Sequence, residues 1–300
     1  LSEDQIDNRI ELIAHSVKLV KSRSEWLSIT YDTAIMKGWS LPKLVDHVFG
    51  GERSWAVVIG IDEYPTDSGY SVLPYAVNDA EEVKKLLINS LGFAEDHVFT
   101  LYDEQATKEN IKWLMGDELP NQISKNDRVI FFFSGHGATR ETRTNSPFGY
   151  LVPVDGNANT LHSTALSMNQ LHSFSELIPA HQMLFVADAC YSGIAGTVYK
   201  KNDTVTKQTR KQVELFIKSG GRQIMTAGAV DEVAMMSSKW DDHSVYTYYF
   251  IKGLQGEADY NDDQVVTTLE LQNYLIDNVS RETDSQQNPQ HYQPGLGEGQ

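Results

Sequence analysis

Cysteine is almost missing from this chain of 300 residues, in which it occurs once, as Cys190. A disulfide within the chain needs two cysteines, so no disulfide framework is possible. A lone cysteine fits a reducing compartment, and we therefore expect a cytoplasmic protein. A single thiol in an intracellular protein that also contains histidines is a candidate nucleophile. The alternative is an inert buried side chain, because free cysteine is among the most buried residue types.

Long hydrophobic runs are also absent from the sequence. No stretch approaches 18 consecutive apolar residues, and the first residues lack the pattern of a secretory signal peptide. We therefore expect no membrane-spanning segment. The sequence begins with Leu1 instead of methionine. We expect it to be part of a longer or processed protein that works with an unseen sensor or regulatory domain or partner.

Positive charge is scarce as well. The chain has 25 lysines and arginines against 41 aspartates and glutamates, which gives a formal net charge of −16 at pH 7. This balance disfavours nucleic acids and anionic membranes as partners and favours the approach of basic peptides. We expect basic protein or peptide substrates, although an acidic surface also serves solubility alone.

Two short apolar runs end in chemically distinctive turns. The run at 129–133 breaks into Ser-Gly-His-Gly, which places His136 just after a strand, and the run at 183–187 leads to Cys190. Both runs are typical of buried strands in a parallel sheet, where sites form at the carboxyl ends of the strands. The sequence therefore predicts a thiol and an imidazole at one edge of a sheet.

From residue 54 onward, strand patterns alternate with helix patterns. This order predicts a three-layer α/β/α sandwich with a mostly parallel central sheet. Residues 1–53 contain isoleucine and valine at helical spacing and predict a helical N-terminal appendage or linker. The further segments that we predict are strands at 54–61 and 97–102, a strand that turns into a loop at 222–234, an extended piece at 149–154, and helices at 78–91, 107–119, 167–178, 243–254 and 269–279.

The segments FFFSGHG and LFVADACYSG resemble the caspase-like superfamily. His136 precedes Cys190 at about the 50-residue distance found in caspases, and the Asp-Ala-Cys-Tyr-Ser-Gly form is similar to the metacaspase and bacterial (orthocaspase) branch. The resemblance covers roughly residues 54–295. It implies a peptidase domain with a large-subunit-like part at 54–198, a linker at 199–221 and a small-subunit-like part at 222–300.

The resemblance implies a cysteine endopeptidase, a regulated effector in stress, immune or cell-death signalling. A histidine beside a thiol lowers the thiol pKa and can later protonate the leaving amine. Cys190 is then the nucleophile and His136 the general base and acid. The backbone N–H groups of Gly137 and Cys190 match the family's oxyanion hole. No third catalytic carboxylate is implied.

An acidic substrate pocket is also implied by the resemblance. Asp188, Asp79 and Ser134 match positions that line the pocket for the P1 residue in metacaspases. Carboxylates in this pocket would select Arg or Lys. Tyr75 stands where the family usually has glycine, a difference that would reshape the pocket. For Asp79 alone, the alternative is a charge that stabilises a helix N-terminus.

We expect no cofactor, but one stretch has a calcium-binding interpretation. The side chains that follow the EF-hand order are Asp259, Asn261, Asp263 and Glu270. Gln264 stands where the sharp turn of such a loop requires glycine. The other interpretation is a polar turn followed by a helix that Thr267 or Thr268 caps.

Two further functions compete with the peptidase. One is a proteolytically silent caspase-like module for signalling or assembly, which the presence of both His136 and Cys190 disfavours. The other is an α/β hydrolase for small molecules, which would need a Gly-x-Ser-x-Gly elbow that the sequence lacks.

Overall fold

The computed structural model describes residues 53–141, 147–189, 221–228, 232, 235–262 and 266–292. In these ranges the strands are β1 Ser54–Gly60, β2 Val98–Tyr102, β3 Arg128–Ser134, β4 Gly137–Glu141, β5 Pro147–Leu151, β6 Leu166–Ser167, β7 Gln182–Asp188, β8 Gly221–Thr226, β9 Met236–Ser237, β10 His243–Ser244 and β11 Gln290–Tyr292. Six of them form the main sheet in the order β11-β8-β7-β3-β1-β2. All neighbours in it are parallel except β11 and β8. The mostly parallel sheet is therefore confirmed.

The helices within the described ranges cover both faces of this sheet. They are α1 Ala76–Asn89, α2 Lys108–Trp113, α3 Leu119–Gln122, α4 Leu161–Thr164, α5 Met168–Leu177, α6 Val245–Lys252 and α7 Thr268–Glu282. Successive side chains of a strand point to opposite faces, and β1 shows the result. Val57 and Ile59 pack with residues of α2, α3 and α5, whereas Ala56 and Val58 pack with residues of α1, α6 and α7. The three-layer α/β/α sandwich is thus confirmed.

Two small antiparallel sheets lie apart from the main one. β4, β5 and β6 form one of them, and its strand β4 begins directly after His136. The sequence predicted only an extended piece at 149–154 there. β9 and β10 form the other. The predicted helix at 243–254 starts at Val245 instead, because Ser244 is its N-cap and accepts a hydrogen bond from the backbone N–H of Thr247.

Helix α1 begins at Ala76, two residues before the predicted start. The side chain of Tyr75, which stands at the N-cap position, makes no capping hydrogen bond. Instead, Oδ1 of Asp62 accepts the backbone N–H of Val77 at 2.9 Å. A side chain from the preceding loop thus satisfies one of the free N–H groups at the helix start. This placement puts Asp79 in the first turn of α1, at the carboxyl end of the sheet.

Several predictions concern residues outside the described ranges. They are the helical appendage at 1–53, apart from Arg53, the linker at 199–221, apart from Gly221, and Cys190 itself. Their structural predictions stay predictions. Among the helices within the described ranges, none has both the length and the apolar composition that crossing a membrane requires.

Candidate active site

The two strands that carry the predicted site lie side by side. β3 and β7 run parallel, with Ser134 in register with Asp188 at their carboxyl ends. His136 follows β3 by two residues, and Cys190 follows β7 by two residues. Cys190 lies outside the described residues, so its distance from His136 stays a prediction. The register nevertheless brings the carboxyl ends of β3 and β7 together at one edge of the sheet.

The ring of His136 is held by a backbone carbonyl. Its Nε2 lies 2.7 Å from the carbonyl oxygen of Ser71. A carbonyl only accepts hydrogen bonds, so Nε2 must carry a proton and Nδ1 is left with the lone pair of the neutral ring. Burial lowers the pKa of His136 and outweighs the Ser71 carbonyl, which raises it. The ring is thus favoured in its neutral form, with Nδ1 able to accept a proton.

Two tyrosines surround the same imidazole. The Tyr64 hydroxyl accepts the backbone N–H of His136 at 3.0 Å and donates to the carbonyl of Val152 at 3.1 Å. The Tyr64 ring meets the His136 ring edge to face, with 4.9 Å between centroids, and Tyr70 lies 5.1 Å away. A Cβ atom at Gly135 would approach the Tyr64 hydroxyl to 2.9 Å, which explains the glycine before the histidine. No motif in the sequence indicated Tyr64, Tyr70 or Ser71.

The three predicted pocket residues come together beside this histidine. Asp79, Ser134 and Asp188 are each 0% exposed. The hydroxyl of Ser134 donates to Oδ2 of Asp79 at 3.1 Å. Two carboxylates, one from helix α1 and one from strand β7, therefore share one buried region at the end of the sheet, and Ser134 of β3 is hydrogen-bonded to one of them.

Three residues that no sequence motif indicated also contact these carboxylates among the described parts of the chain. Nδ1 of His243 lies 2.9 Å from Oδ1 of Asp79, and the backbone N–H of Ser244 donates to the same oxygen at 3.2 Å. The hydroxyls of Ser244 and Thr247 both donate to Oδ2 of Asp188, the latter at 2.6 Å. All three follow the predicted linker in sequence, so both halves of the chain build the pocket.

The charges of the two carboxylates are strongly linked. Burial and the negative charge of Asp79 raise the pKa of Asp188 to about 7, against the opposing effect of its hydrogen bonds from Ser244 and Thr247. Burial also raises the pKa of Asp79, although hydrogen bonding and the charge of His243 oppose the shift. Oδ1 of Asp188 has no hydrogen-bond partner among the described residues. A buried, unpaired carboxylate oxygen is costly unless a donor or a cation reaches it.

The stretch with the calcium interpretation contains a helix cap. The Thr267 hydroxyl accepts the backbone N–H of Glu270 at 3.2 Å, and Oε2 of Glu270 accepts the backbone N–H of Thr267 at 2.9 Å. Oε1 of Glu270 accepts from the side-chain amide of Asn261 at 2.8 Å. The predicted cap by Thr267 is confirmed. Asp263 lies outside the described residues, and calcium binding stays a hypothesis.

An α/β sandwich with a histidine and an acidic pocket at the carboxyl edge of its sheet is an arrangement suited to a hydrolase. The model of the caspase-domain peptidase family matches residues 53–298. The chain therefore belongs to the caspase-domain family. This membership confirms the predicted superfamily and the enzyme class, cysteine peptidase.

The curated relatives are metacaspases. Metacaspase-4 of Arabidopsis thaliana is 28% identical over 173 residues, which cover 53% of this chain and 38% of the relative. Metacaspase-7 of the same plant is 31% identical over 150 residues, or 46% and 34% of the two chains. Metacaspase-1 of Eremothecium gossypii is 27% identical over 158 residues, or 47% and 32%. The matches thus span about a third of the length of each relative.

A solved structure has the same fold. Protein GSU0716 from Geobacter sulfurreducens superposes with a TM-score of 0.56 over 82% of this chain and 95% of its own, at 15% sequence identity. At that identity the likeness concerns the fold alone.

Proposed function

We propose that this chain is a cysteine endopeptidase that cleaves peptide bonds after Arg or Lys. The observation that carries the proposal is the buried pair of carboxylates, Asp79 and Asp188, beside His136 at the carboxyl edge of the sheet. A P1 guanidinium or ammonium group would supply the donor that Oδ1 of Asp188 lacks and would compensate the buried negative charge.

The chemistry starts with proton transfer from the Cys190 thiol to Nδ1 of His136. The resulting thiolate attacks the carbonyl carbon of the scissile bond, and the backbone N–H groups of Gly137 and Cys190 stabilise the oxyanion. The His136 imidazolium then donates its Nδ1 proton to the leaving amine, and the C–N bond breaks. The same nitrogen then deprotonates a water molecule, which attacks the carbonyl carbon of the remaining thioester. The C–S bond breaks, and the released Cys190 thiolate takes the proton back from Nδ1. The Ser71 carbonyl accepts from Nε2 throughout and so stabilises the imidazolium form.

The biological setting that we propose follows from the family and from the charge of the chain. A net charge of −16 favours basic protein or peptide substrates and disfavours nucleic acids and anionic membranes. From the resemblance to metacaspases we propose a regulated cytoplasmic effector in stress, immune or cell-death signalling that responds to a further domain or partner. The competing function, a proteolytically silent module, is disfavoured because His136 is held in the tautomer that a general base needs.

The experiment that tests the proposal is turnover of three fluorogenic peptides that differ only in P1, which is Arg, Lys or Asp. We expect cleavage after Arg and Lys and no cleavage after Asp. Cys190→Ala and His136→Ala should each abolish turnover, while circular dichroism shows that both variants remain folded. Wild-type turnover in the Cys190→Ala variant would refute the peptidase mechanism, and cleavage after Asp would refute the P1 assignment.

A further inference from the structure

Asp79 in the proposed P1 pocket already has a partner that can carry positive charge. Nδ1 of His243 lies 2.9 Å from Oδ1 of Asp79, and the two residues are 8% and 0% exposed. A carboxylate at this distance accepts a hydrogen bond from the Nδ1–H group, whether the ring is neutral or protonated. Neither the mechanism nor the motif that predicted Asp79 has a role for this histidine.

The groups around His243 are acidic or neutral. From α1, Asn78 places its amide nitrogen 3.4 Å from Nδ1 and donates to the carbonyl of Asp242, and Glu82 adds a negative charge. From the turn before β10, Asp241 adds another. Ser134 of β3 donates a hydrogen bond to Asp79, and Asp188 of β7 interacts with Asp79 by charge repulsion, so both act on His243 through Asp79. When it is protonated, His243 is therefore the cationic partner of a buried acidic group.

We propose that His243 is a specificity-determining positioning residue of the P1 pocket, because its imidazolium competes with the P1 cation of the substrate for Asp79. The inference rests on the proposed function, since it assumes that Asp79 faces a P1 Arg or Lys. When His243 is protonated, the His243–Asp79 pair is neutral and only Asp188 remains to attract a cation. When His243 loses its proton, the charge of Asp79 becomes available to the substrate. Preference for a charged P1 residue thus increases with pH.

The charges around His243 favour its protonated form. Burial lowers the pKa of His243. The hydrogen bond and charge of Asp79, together with the charges of Glu82 and Asp241, raise this pKa by more than burial lowers it, so the net shift is upward. Histidine normally changes charge between about pH 5 and 8. Asp188, with a pKa of about 7, also gains negative charge as the pH rises. The experiment must therefore separate His243 from Asp188.

The measurement is the ratio of kcat/KM for two peptides, one with Arg and one with citrulline at P1, between pH 6 and 9. Citrulline resembles arginine in shape but is uncharged. Protonation of Cys190 or His136 affects both substrates equally and cancels in the ratio. In the wild-type protein we expect the ratio to rise by at least about tenfold with pH, the effect of one charge-assisted contact.

The informative variant is His243→Asn, because the asparagine amide can donate to Asp79 from near the position of Nδ1 but carries no charge. We expect its ratio at pH 6 to exceed the wild-type ratio by about tenfold and its rise with pH to be smaller. His291→Gln is the matched control. His291 lies on the edge strand β11, 3.3 Å from the Gln223 side chain, and its loss should leave the curve unchanged.

A second measurement uses linkage and needs no change at His243. Competition for Asp79 is reciprocal, so a bound P1 cation must lower the pKa of His243. NMR titration of the His243 ring in the Cys190→Ala protein should give a lower pKa with the Arg peptide than with the citrulline peptide.

The two proposals fail in distinguishable ways. If His243→Asn follows the wild-type ratio at every pH, or if both peptides leave the same His243 pKa, the role of His243 is refuted while the peptidase assignment stands. If the wild-type protein shows no preference for Arg over citrulline at any pH, the P1 assignment itself is wrong.

Discussion

The hydroxyl oxygen of Tyr64 lies 3.0 Å from the backbone nitrogen of His136 and 3.1 Å from the carbonyl oxygen of Val152. One side chain from the loop after β1 thus joins the segment after β3 to the segment after β5. The Ser71 carbonyl comes from the same loop and holds the His136 ring, whereas Tyr64 holds the His136 backbone. The orientation of the general base therefore depends on a loop that carries no residue of the predicted dyad.

Tyr64→Phe should consequently lower kcat with little change in KM. The substitution keeps the ring packing but leaves the His136 N–H and the Val152 carbonyl without their partner. We expect kcat to fall about tenfold and the free energy of unfolding to fall by ~1–2 kcal/mol, since unpaired buried polar groups are destabilising. Steady-state kinetics and urea unfolding measure the two effects.

Tyr70→Phe is the matched control, because Tyr70 meets His136 through its ring. Its activity should stay within about twofold of wild type. An equal loss in both variants would mean that the Tyr64 hydrogen bonds do not position the histidine.

The carboxylates of the pocket predict a second pair of variants. Asp79→Asn and Asp188→Asn should each reduce kcat/KM for an Arg substrate by roughly 10²-fold, because one buried charge-assisted contact is lost. The citrulline analogue should lose much less. Asp96→Asn, at an exposed position, should change neither value. If both pocket variants cleave the Arg substrate at the wild-type rate, these carboxylates do not bind P1.

A third prediction concerns stability at the opposite edge of the sheet. The carboxylate of Asp127 is 1% exposed and accepts from the Arg53 guanidinium at 2.8 Å, the Trp55 indole at 3.0 Å and the Ser124 backbone at 2.9 Å. Asp127→Asn should lower the free energy of unfolding by ~2–3 kcal/mol. Glu82→Gln, which breaks the exposed ion pair with Lys85, should cost no more than ~0.5 kcal/mol.

The pH dependence of this contribution has a definite sign. Burial raises the pKa of Asp127. Its hydrogen bonds from Ser124, Arg53 and Trp55 lower this pKa by more than burial raises it, so the folded pKa lies below the ordinary value. A lowered folded pKa stabilises the protein above the unfolded pKa of about 4, and this stabilisation is lost as the pH falls through the folded pKa. The difference in the free energy of unfolding between wild type and Asp127→Asn should therefore be largest at pH 7 and should shrink below about pH 4. A constant gap down to pH 2 would contradict the assignment.

Much of the architecture could be predicted because its signals are local. The apolar runs that became β3 and β7, and the Ser-Gly-His-Gly turn after β3, are readable within a few residues of sequence. Asp79, Ser134 and Asp188 were predicted through the family motif, and they do lie together.

The contacts that orient these groups have no local signal. Ser71 is 65 residues from His136, Tyr64 is 72 residues from it, and His243 is 164 residues from Asp79. Each contact therefore depends on the tertiary fold and not on a local pattern. The start of α1 was misplaced for the same reason, since its cap comes from Asp62, 15 residues before Val77.

The capping box at α7 contributes to stability. Thr267→Ala should lower the free energy of unfolding by ~1 kcal/mol, because the hydroxyl that accepts the Glu270 N–H is lost.

The same capping box predicts the response to calcium. Calcium at millimolar concentration should leave the melting temperature unchanged, since both carboxylate oxygens of Glu270 already accept hydrogen bonds. A rise in melting temperature with calcium that disappears in Glu270→Gln would instead establish the calcium site.

The last prediction is self-cleavage in the lysine-rich sequence at 199–210, which lies outside the described residues. Two features motivate it: the segment matches the position of the family's intersubunit linker, and it offers Lys200, Lys201, Lys207 and Arg210 to a pocket that favours basic P1 residues. Polar loops poor in apolar residues are also frequent sites of cleavage. The alternative is a surface loop whose lysines serve solubility.

Self-cleavage would require the same active site as peptide turnover, so the two must be lost together. We expect wild-type protein to yield a new amino terminus after one of these four basic residues on incubation, and Cys190→Ala to remain intact. Amino-terminal sequencing of the fragments identifies the bond, and replacing the four residues with glutamine should protect the chain without reducing turnover of an Arg peptide. An intact wild-type chain under conditions where that peptide is cleaved rejects self-processing. Identical fragments in wild type and Cys190→Ala reject it too, because a contaminating protease must then have made them.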